Sequence, residues 1–243
     1  MFDLSIVIPS IRTYNWQELM DSIHNSCTKY SYEIIFVGPQ YDTVIDSLGH
    51  VKFIRDFGSP NRCQQLGYMI SSGRYIHFGS DDCMYIPKSI DTVMDKMNGD
   101  PKVITCNYSE GGQDQVSMRF LDAYGTNKYK EVEKDWVYFN VPFMNRFLFR
   151  RFGFDCKYET TCWGHADLAA RMQKWNFSGE FNFEIECYNE SVFECSHMPS
   201  TSGDHGPIHF AFFDDQKLFY DSKIGLSATP FEKSENIWSR RFR

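Results

Sequence analysis

Arg74-Tyr75-Ile76-His77-Phe78-Gly79-Ser80-Asp81-Asp82-Cys83-Met84 is the stretch on which the reading of this chain turns. Tyr75 to Phe78 is a short apolar run, the pattern of a buried strand, and it stops at Gly79. The carboxylates of Asp81 and Asp82 then fall just past the strand's carboxyl end, where open α/β sheets bind ligands. Adjacent acids repel and cost stability unless a cation or a hydrogen-bond network compensates them. The expected compensator is a divalent metal: Mg²⁺ and Mn²⁺ favour oxygen ligands and bridge one or two carboxylates to a diphosphate. The same pair can also serve as nothing more than a turn or a helix cap.

Strands and helices alternate on both sides of this stretch. Leu4 to Pro9 reads as a first strand, and Trp16, Leu19, Met20 and Ile23 fall at helical spacing behind an Asn15/Glu18 capping box. Glu33 to Val37 is a second strand stopped by Gly38-Pro39, a short helix over 43–48 ends at Gly49, and Val51 to Ile54 is a third strand. Ser59 can cap a helix that has Pro60 at its first position and Leu66, Met69 and Ile70 along one face. After the central strand, Pro87 opens a helix bearing Ile90, Val93, Met94 and Met97, and Val103 to Cys106 returns as a strand. This alternation indicates α/β architecture with a mostly parallel sheet and crossover helices. The pattern weakens over 107–134, with one short strand at 116–120. Further on come a strand at 136–139, a helix from Asn145 to Gly153, a helix carrying Leu168, Met172 and Trp175, strands at 181–188 and 191–195, and a helix near Pro207 to Tyr220.

Composition narrows the function classes. A chain of 243 residues with 42% hydrophobic and 17% aromatic residues folds around a full core. A net charge of −7 argues against a nucleic-acid surface, which needs a basic face. No run approaches the roughly 18 apolar residues of a membrane span, so a cytoplasmic protein is expected. Its eight cysteines contain no C-x-x-C pair and read as reduced, mostly buried thiols.

The order of several pieces resembles the GT-A glycosyltransferases of family 2. They are Leu4 to Ser10, Glu33 to Gly38, Ser59 to Gly67, Arg74 to Met84, and Phe154-Asp155 followed by Trp163-Gly164-His165-Ala166-Asp167-Leu168 with Arg171. The resemblance spans roughly residues 3 to 175. It implies one GT-A domain over 1–243, with a nucleotide-sugar half to about residue 107, a smaller mixed acceptor half over about 108–210, and a helical tail over 211–243. It implies transfer of one sugar, with inversion, from a nucleotide-diphosphate donor, most often a UDP-sugar, to a hydroxyl acceptor. Pro9, Ser10 and Arg12 would border the nucleoside, with Arg62, Gln65, Ser80 and Asp81 also at the donor. Asp82 and His197 would hold Mn²⁺ or Mg²⁺, with His205 and His209 as competitors of His197. Asp167 would be the general base, and Trp163, Gly164 and His165 would meet the acceptor. The chain departs from the pattern in three places: Ser80 and Ala166 replace acids, and Gly38-Pro39 replaces an aspartate after the second strand. The rival for Asp167 is a helix start paired with Arg171 four residues on. Rival functions are a catalytically silent sugar-nucleotide or glycan-binding module and a nucleotidyltransferase.

Overall fold

A computed structural model describes residues 1–97, 101–115, 137–179, 182–195 and 206–221. Period-two runs rich in Ile, Val and Phe form the strands β1 (Leu4–Pro9), β2 (Tyr32–Gly38), β3 (Val51–Arg55) and β4 (Tyr75–Phe78). All three pairings among them, β1 with β2, β1 with β4 and β2 with β3, are parallel. β5 (Cys83–Tyr85), β6 (Lys102–Glu110), β7 (Gln113–Gln115), β8 (Phe143–Asn145) and β9 (Glu184–Cys195) complete the sheet. The order is β3-β2-β1-β4-β8-β6-β9-β5, with β7 on β6. β8 runs antiparallel to both β4 and β6, and β5 antiparallel to β9, so the second half of the sheet is mixed. The chain moves outward from β1 through β2 to β3 and then returns to the other side of β1 as β4. That reversal leaves a crevice at the carboxyl ends of β1 and β4.

Helices cover both faces. α1 (Trp16–Ser26) and α3 (Ser89–Lys96) bury Trp16, Leu19, Met20, Ile23, Ile90, Val93 and Met94 against one face, where Trp16 stacks on Phe36 at 4.2 Å. α2 (Pro60–Ile70), α4 (Arg146–Phe152) and α5 (Thr161–Phe177) pack a Phe-rich layer on the other. Phe149 and Phe154 touch there at 4.9 Å. Each fully buried Leu, Ile or Phe side chain contributes about 1.5–3 kcal/mol, so these two layers carry the fold. α6 (Gly206–Asp221) lies on α5 through Phe219 and Phe212.

Several expectations need correction. Asn15 makes no cap; its side chain donates to the Asp81 carbonyl instead, 3.2 Å away. The helix expected over 43–48 is a 3-10 turn, Thr43–Ile45, capped by Asp42. Met69 and Ile70 do not line the buried face of α2 but stand 64% and 43% exposed. The strand expected at 136–139 is a single bridge, and the ladder forms at β8. The two late strands are one, β9, whose register against β6 shifts beyond Cys106. The strand expected over 116–120 lies outside the described residues.

Candidate active site

The crevice is closed at its base by one carboxylate. Asp81 is 3% exposed. Its Oδ2 accepts from Ser10 Oγ at 3.0 Å and from the backbone N–H groups of Ile11 and Arg12, both at 2.7 Å. Its Oδ1 accepts from Arg12 Nη1 at 2.7 Å. Trp16 Nε1 in turn donates to Ser10 Oγ at 2.7 Å. The turn after β4 is thereby latched to the turn after β1, and the desolvated acid is compensated by four donors, one of them a cation. Asp82 is placed differently. Its side chain is 11% exposed, Ser80 Oγ donates to its Oδ1, Cys195 Sγ lies 3.9 Å from the same oxygen, and Arg12 Nη1 lies 3.8 Å from Oδ2.

Donor chemistry decides what metal this site suits. Asp81's oxygens are taken up by the latch, and Asp82, itself bonded to Ser80 Oγ and beside Arg12, is the more exposed of the two carboxylates. Among the described residues no three His, Cys, Asp or Glu side chains converge as a ligand set, and His197 lies outside them. His205 also lies outside them, and His209 falls within α6. The arrangement fits an ion held by one carboxylate with phosphate oxygens and water completing its shell, the usual habit of Mg²⁺, rather than a closed protein cage.

Beside the crevice, Ser59 Oγ caps α2 by accepting from Arg62 N at 3.2 Å, with Pro60 at the first position. Arg62 turns its guanidinium to Asp56, Nε at 2.9 Å from Oδ2 and Nη2 at 2.9 Å from Oδ1. These bonds to Asp56 raise its pKa further, and its side chain stays 31% exposed. Asp56 also donates its backbone N–H to the Gly38 carbonyl at 3.0 Å, so Arg62, Asp56 and Gly38 share the carboxyl edge of β2 and β3. A Cβ on Gly38 would meet Ser10 O at 1.7 Å. No side chain fits at position 38, the last residue of β2, because the turn after β1 fills its place. Pro9 is half-buried, and Gln65 is used internally, its Oε1 accepting from Phe154 N at 3.0 Å.

The Trp163 to Asp167 segment does not precede a helix; it lies inside one. α5 begins at Thr161, and Asp215 of α6 fixes the chain just ahead of it, accepting from Glu159 N at 2.9 Å and from Thr160 N and Oγ1 at 2.8 Å, with its charge near the helix N-terminus. Trp163 is fully buried against Phe212 and Phe219. At Gly164 an added Cβ would lie 2.2 Å from Asn61 Oδ1, so this glycine lets α2 and α5 approach. His165 stacks on Phe154, with Nδ1 at 3.1 Å from Phe139 O and Nε2 at 2.9 Å from Gln64 Oε1. Burial lowers its pKa to about 4, which keeps it neutral. A neutral ring carries one N–H, so it donates to either Phe139 O or Gln64 Oε1, and satisfying both nitrogens would take a Gln64 amide with its oxygen and nitrogen exchanged. Asp167 is 3% exposed and pairs with Arg171 Nε at 2.7 Å, while Arg171 also donates to the carbonyls of Phe152 and Gly153. Its pKa is raised by burial, against Arg171, with nearby Asp155 adding to the rise. Two turns into α5, Asp167 gains no helix-start stabilisation of its charge.

No family model and no curated protein matches the sequence. Solved structures of S. aureus TarS do match. One TarS structure superposes with a TM-score of 0.59 at 10% identity over 90% of this chain and 39% of that one. TarS 1-349 in complex with UDP-GlcNAc gives 0.60 at 12% identity over 89% of this chain and 65% of that one. The UDP complex gives 0.59 at 11% over 89% and 64%. The fold is the α/β fold of these TarS structures. The chain spans less than two thirds of the length of each of these neighbours. Among the described residues no helix is long and apolar enough to cross a membrane.

Asn61, Asp56, Asp155 and Asp215 were not singled out for roles from sequence. Asn61 is fully buried and donates to the carbonyls of Asp155 and Tyr158 at 3.3 and 3.0 Å, fastening α2 to the approach of α5. Its place in the first turn of α2, beside Arg62, was the available signal.

Proposed function

We propose that the chain binds a nucleotide-diphosphate sugar in the crevice between β1 and β4 and transfers the sugar to an acceptor hydroxyl. The observation that carries this reading is the Asp81 latch, which sets Asp82 and a guanidinium side by side at the topological switch point. Support also comes from TarS, whose structures in this fold include complexes with UDP and with UDP-GlcNAc. Pro9, Ser10 and Arg12 border the nucleoside and the diphosphate. Asp82 holds Mn²⁺ or Mg²⁺, joined by His197 if its segment reaches the ion. The ion, when bound, neutralises charge on the leaving diphosphate. Arg12 and Arg62 add fixed positive charge, and the N-terminus of α2, which carries Arg62, adds the positive end of its dipole.

The reaction in this reading is a single inverting displacement, with Asp167 as the carboxylate to test as base. That role requires α5 to expose a carboxylate now turned to Arg171, since a base has to touch the acceptor hydroxyl. The inward position of Asp167, with Trp163 and His165 buried beside it, is the specific observation that favours the second reading, a sugar-nucleotide-binding module without transfer.

Thermal unfolding with UDP, GDP or TDP, each with Mn²⁺ or with EDTA, tests the donor site. A ligand at 100 times its Kd stabilises by about 2.7 kcal/mol, or roughly 5–10 °C for a chain of this size. One diphosphate should shift the wild type in Mn²⁺, and Asp82→Asn should lose most of the shift. No shift with any diphosphate would end the reading. Slow release of sugar from a bound UDP-sugar into water then separates a transferase from a binding module.

A further inference from the structure

We propose that Arg12 is a built-in counter-ion of the Asp81–Asp82 pair, which competes with a divalent cation for Asp82 in the free protein and turns to the diphosphate when a donor arrives. This inference rests on the donor-site reading above and gives one residue of that site a definite task. Arg12 is held from both ends: its backbone N–H and its Nη1 each bind Asp81 at 2.7 Å. From that anchorage Nη1 reaches to 3.8 Å of Asp82 Oδ2, and the side chain is only 7% exposed. A guanidinium stays charged at every accessible pH and gives up hydration more readily than an ammonium, so it suits this dry position.

The geometry has a thermodynamic consequence. A metal ion bound to Asp82 would sit about 2 Å from a carboxylate oxygen, within a few ångströms of the Arg12 cation. Like charges that close in a partly buried site repel strongly, which weakens the ion's hold on the free protein. A diphosphate removes the conflict, because its oxygens accept from the guanidinium and ligate the ion at once. Metal and nucleotide should therefore bind with positive coupling, each raising the other's affinity by the same factor. Asp81 keeps three other donors whether or not Arg12 is charged, so the latch itself is not what titrates this coupling.

Opposite signs distinguish this role from a merely structural one. Without the Arg12 charge, Mn²⁺ should bind the nucleotide-free protein more tightly, while UDP in EDTA should bind more weakly. A residue that only held the turn would, when replaced, weaken both. The test is Mn²⁺ titration followed by electron paramagnetic resonance, alongside UDP titration by calorimetry in EDTA, on wild type, Arg12→Gln and Arg12→Lys. Arg12→Gln is expected to bind free Mn²⁺ about tenfold or more tightly and UDP in EDTA about tenfold more weakly, given the size of a close unit-charge interaction. Arg12→Lys, which keeps the charge, should stay near wild type in both titrations and shows that the turn still folds. Unchanged or weaker Mn²⁺ binding in Arg12→Gln, or no Mn²⁺ binding by either protein, overturns the proposal. If no nucleoside diphosphate binds the wild type, the donor-site reading fails instead, and the Mn²⁺ comparison still decides the counter-ion role.

Discussion

Acidification from pH 7.5 to pH 5 should cost this fold about 4 kcal/mol through two histidines, before most carboxylates titrate. His77 is fully buried on β4, stacked on Phe143 at 4.0 Å. Its Nδ1 lies 3.2 Å from Pro142 O, which can only accept, and its Nε2 lies 2.8 Å from Tyr85 Oη, which can donate. Only the neutral ring, with the proton on Nδ1, satisfies both. Burial lowers the pKa from 6.5 to about 3 for His77 and from 6.5 to about 4 for His165. The folded state thus resists protons that the unfolded chain takes up below about pH 6.5. Stability is therefore full above that pH and falls as pH drops toward the folded values. At pH 5 each imidazole lies about 1.5 units below its unfolded pKa, worth about 2 kcal/mol at 1.36 kcal/mol per unit. A total of about 4 kcal/mol is a large part of the 5–15 kcal/mol typical of a domain. Urea unfolding at pH 7.5, 6 and 5 with a constant m-value measures it. A loss below about 1 kcal/mol would refute the assignment of two neutral buried rings, as would a pH dependence unchanged in His77→Gln, which should roughly halve it.

Three further substitutions probe the second half of the chain. Gly164→Ala places a Cβ 2.2 Å from Asn61 Oδ1 and should cost about 1–3 kcal/mol in urea unfolding by forcing α2 and α5 apart; a neutral result would mean that Asn61 turns away freely. Asp215→Ala leaves Glu159 N and Thr160 N without their acceptor and should cost about 2 kcal/mol, with α6 becoming the first segment lost to limited proteolysis. Asp167→Asn keeps the shape but strips the charge opposite buried Arg171, so about 3 kcal/mol of destabilisation is expected. If Asp167→Asn stays folded and transfers sugar at the wild-type rate, the base assignment is gone and the Arg171 pairing is its whole role.

What could be read from the sequence follows the range of the interactions involved. α1 and α3 were legible because Trp16, Leu19, Met20 and Ile23, and likewise Ile90, Val93 and Met94, repeat at the helical period and bury the face that the period implies. β4 was legible because Gly79 ends it abruptly. α5 was read as starting too late because the chain ahead of it is fixed by Asp215, some 55 residues away from Thr160, and no local side-chain cap marks its start. α5 also buries both Trp163 and Leu168 on different sides, so it lacks the single apolar stripe that sets a boundary by pattern. β8 has three residues and gains its identity only from pairing with both β4 and β6.

The same rule divides the site. That Asp81 and Asp82 lie at the end of a strand is a local fact, and the sequence carries it. That the two acids have separate tasks is not local: Asp81 is spent on donors 69 to 71 positions earlier in the chain, and Asp82 stays beside a cation from that same turn. The missing acid after β2 has an equally distant cause. Position 38 touches the Ser10 carbonyl so closely that a glycine is required, and Ser10 is held there by its own N–H, which donates to Val37 O at 2.8 Å as the β1–β2 pairing runs out. The turn after β1 thus meets both features: its Ser10 carbonyl faces Gly38, and its hydroxyl and N–H groups face Asp81. Asp81 ties the first turn to the end of β4 and so brings an arginine beside the two acids, while the Ser10 carbonyl of that same turn leaves no room for a side chain at position 38.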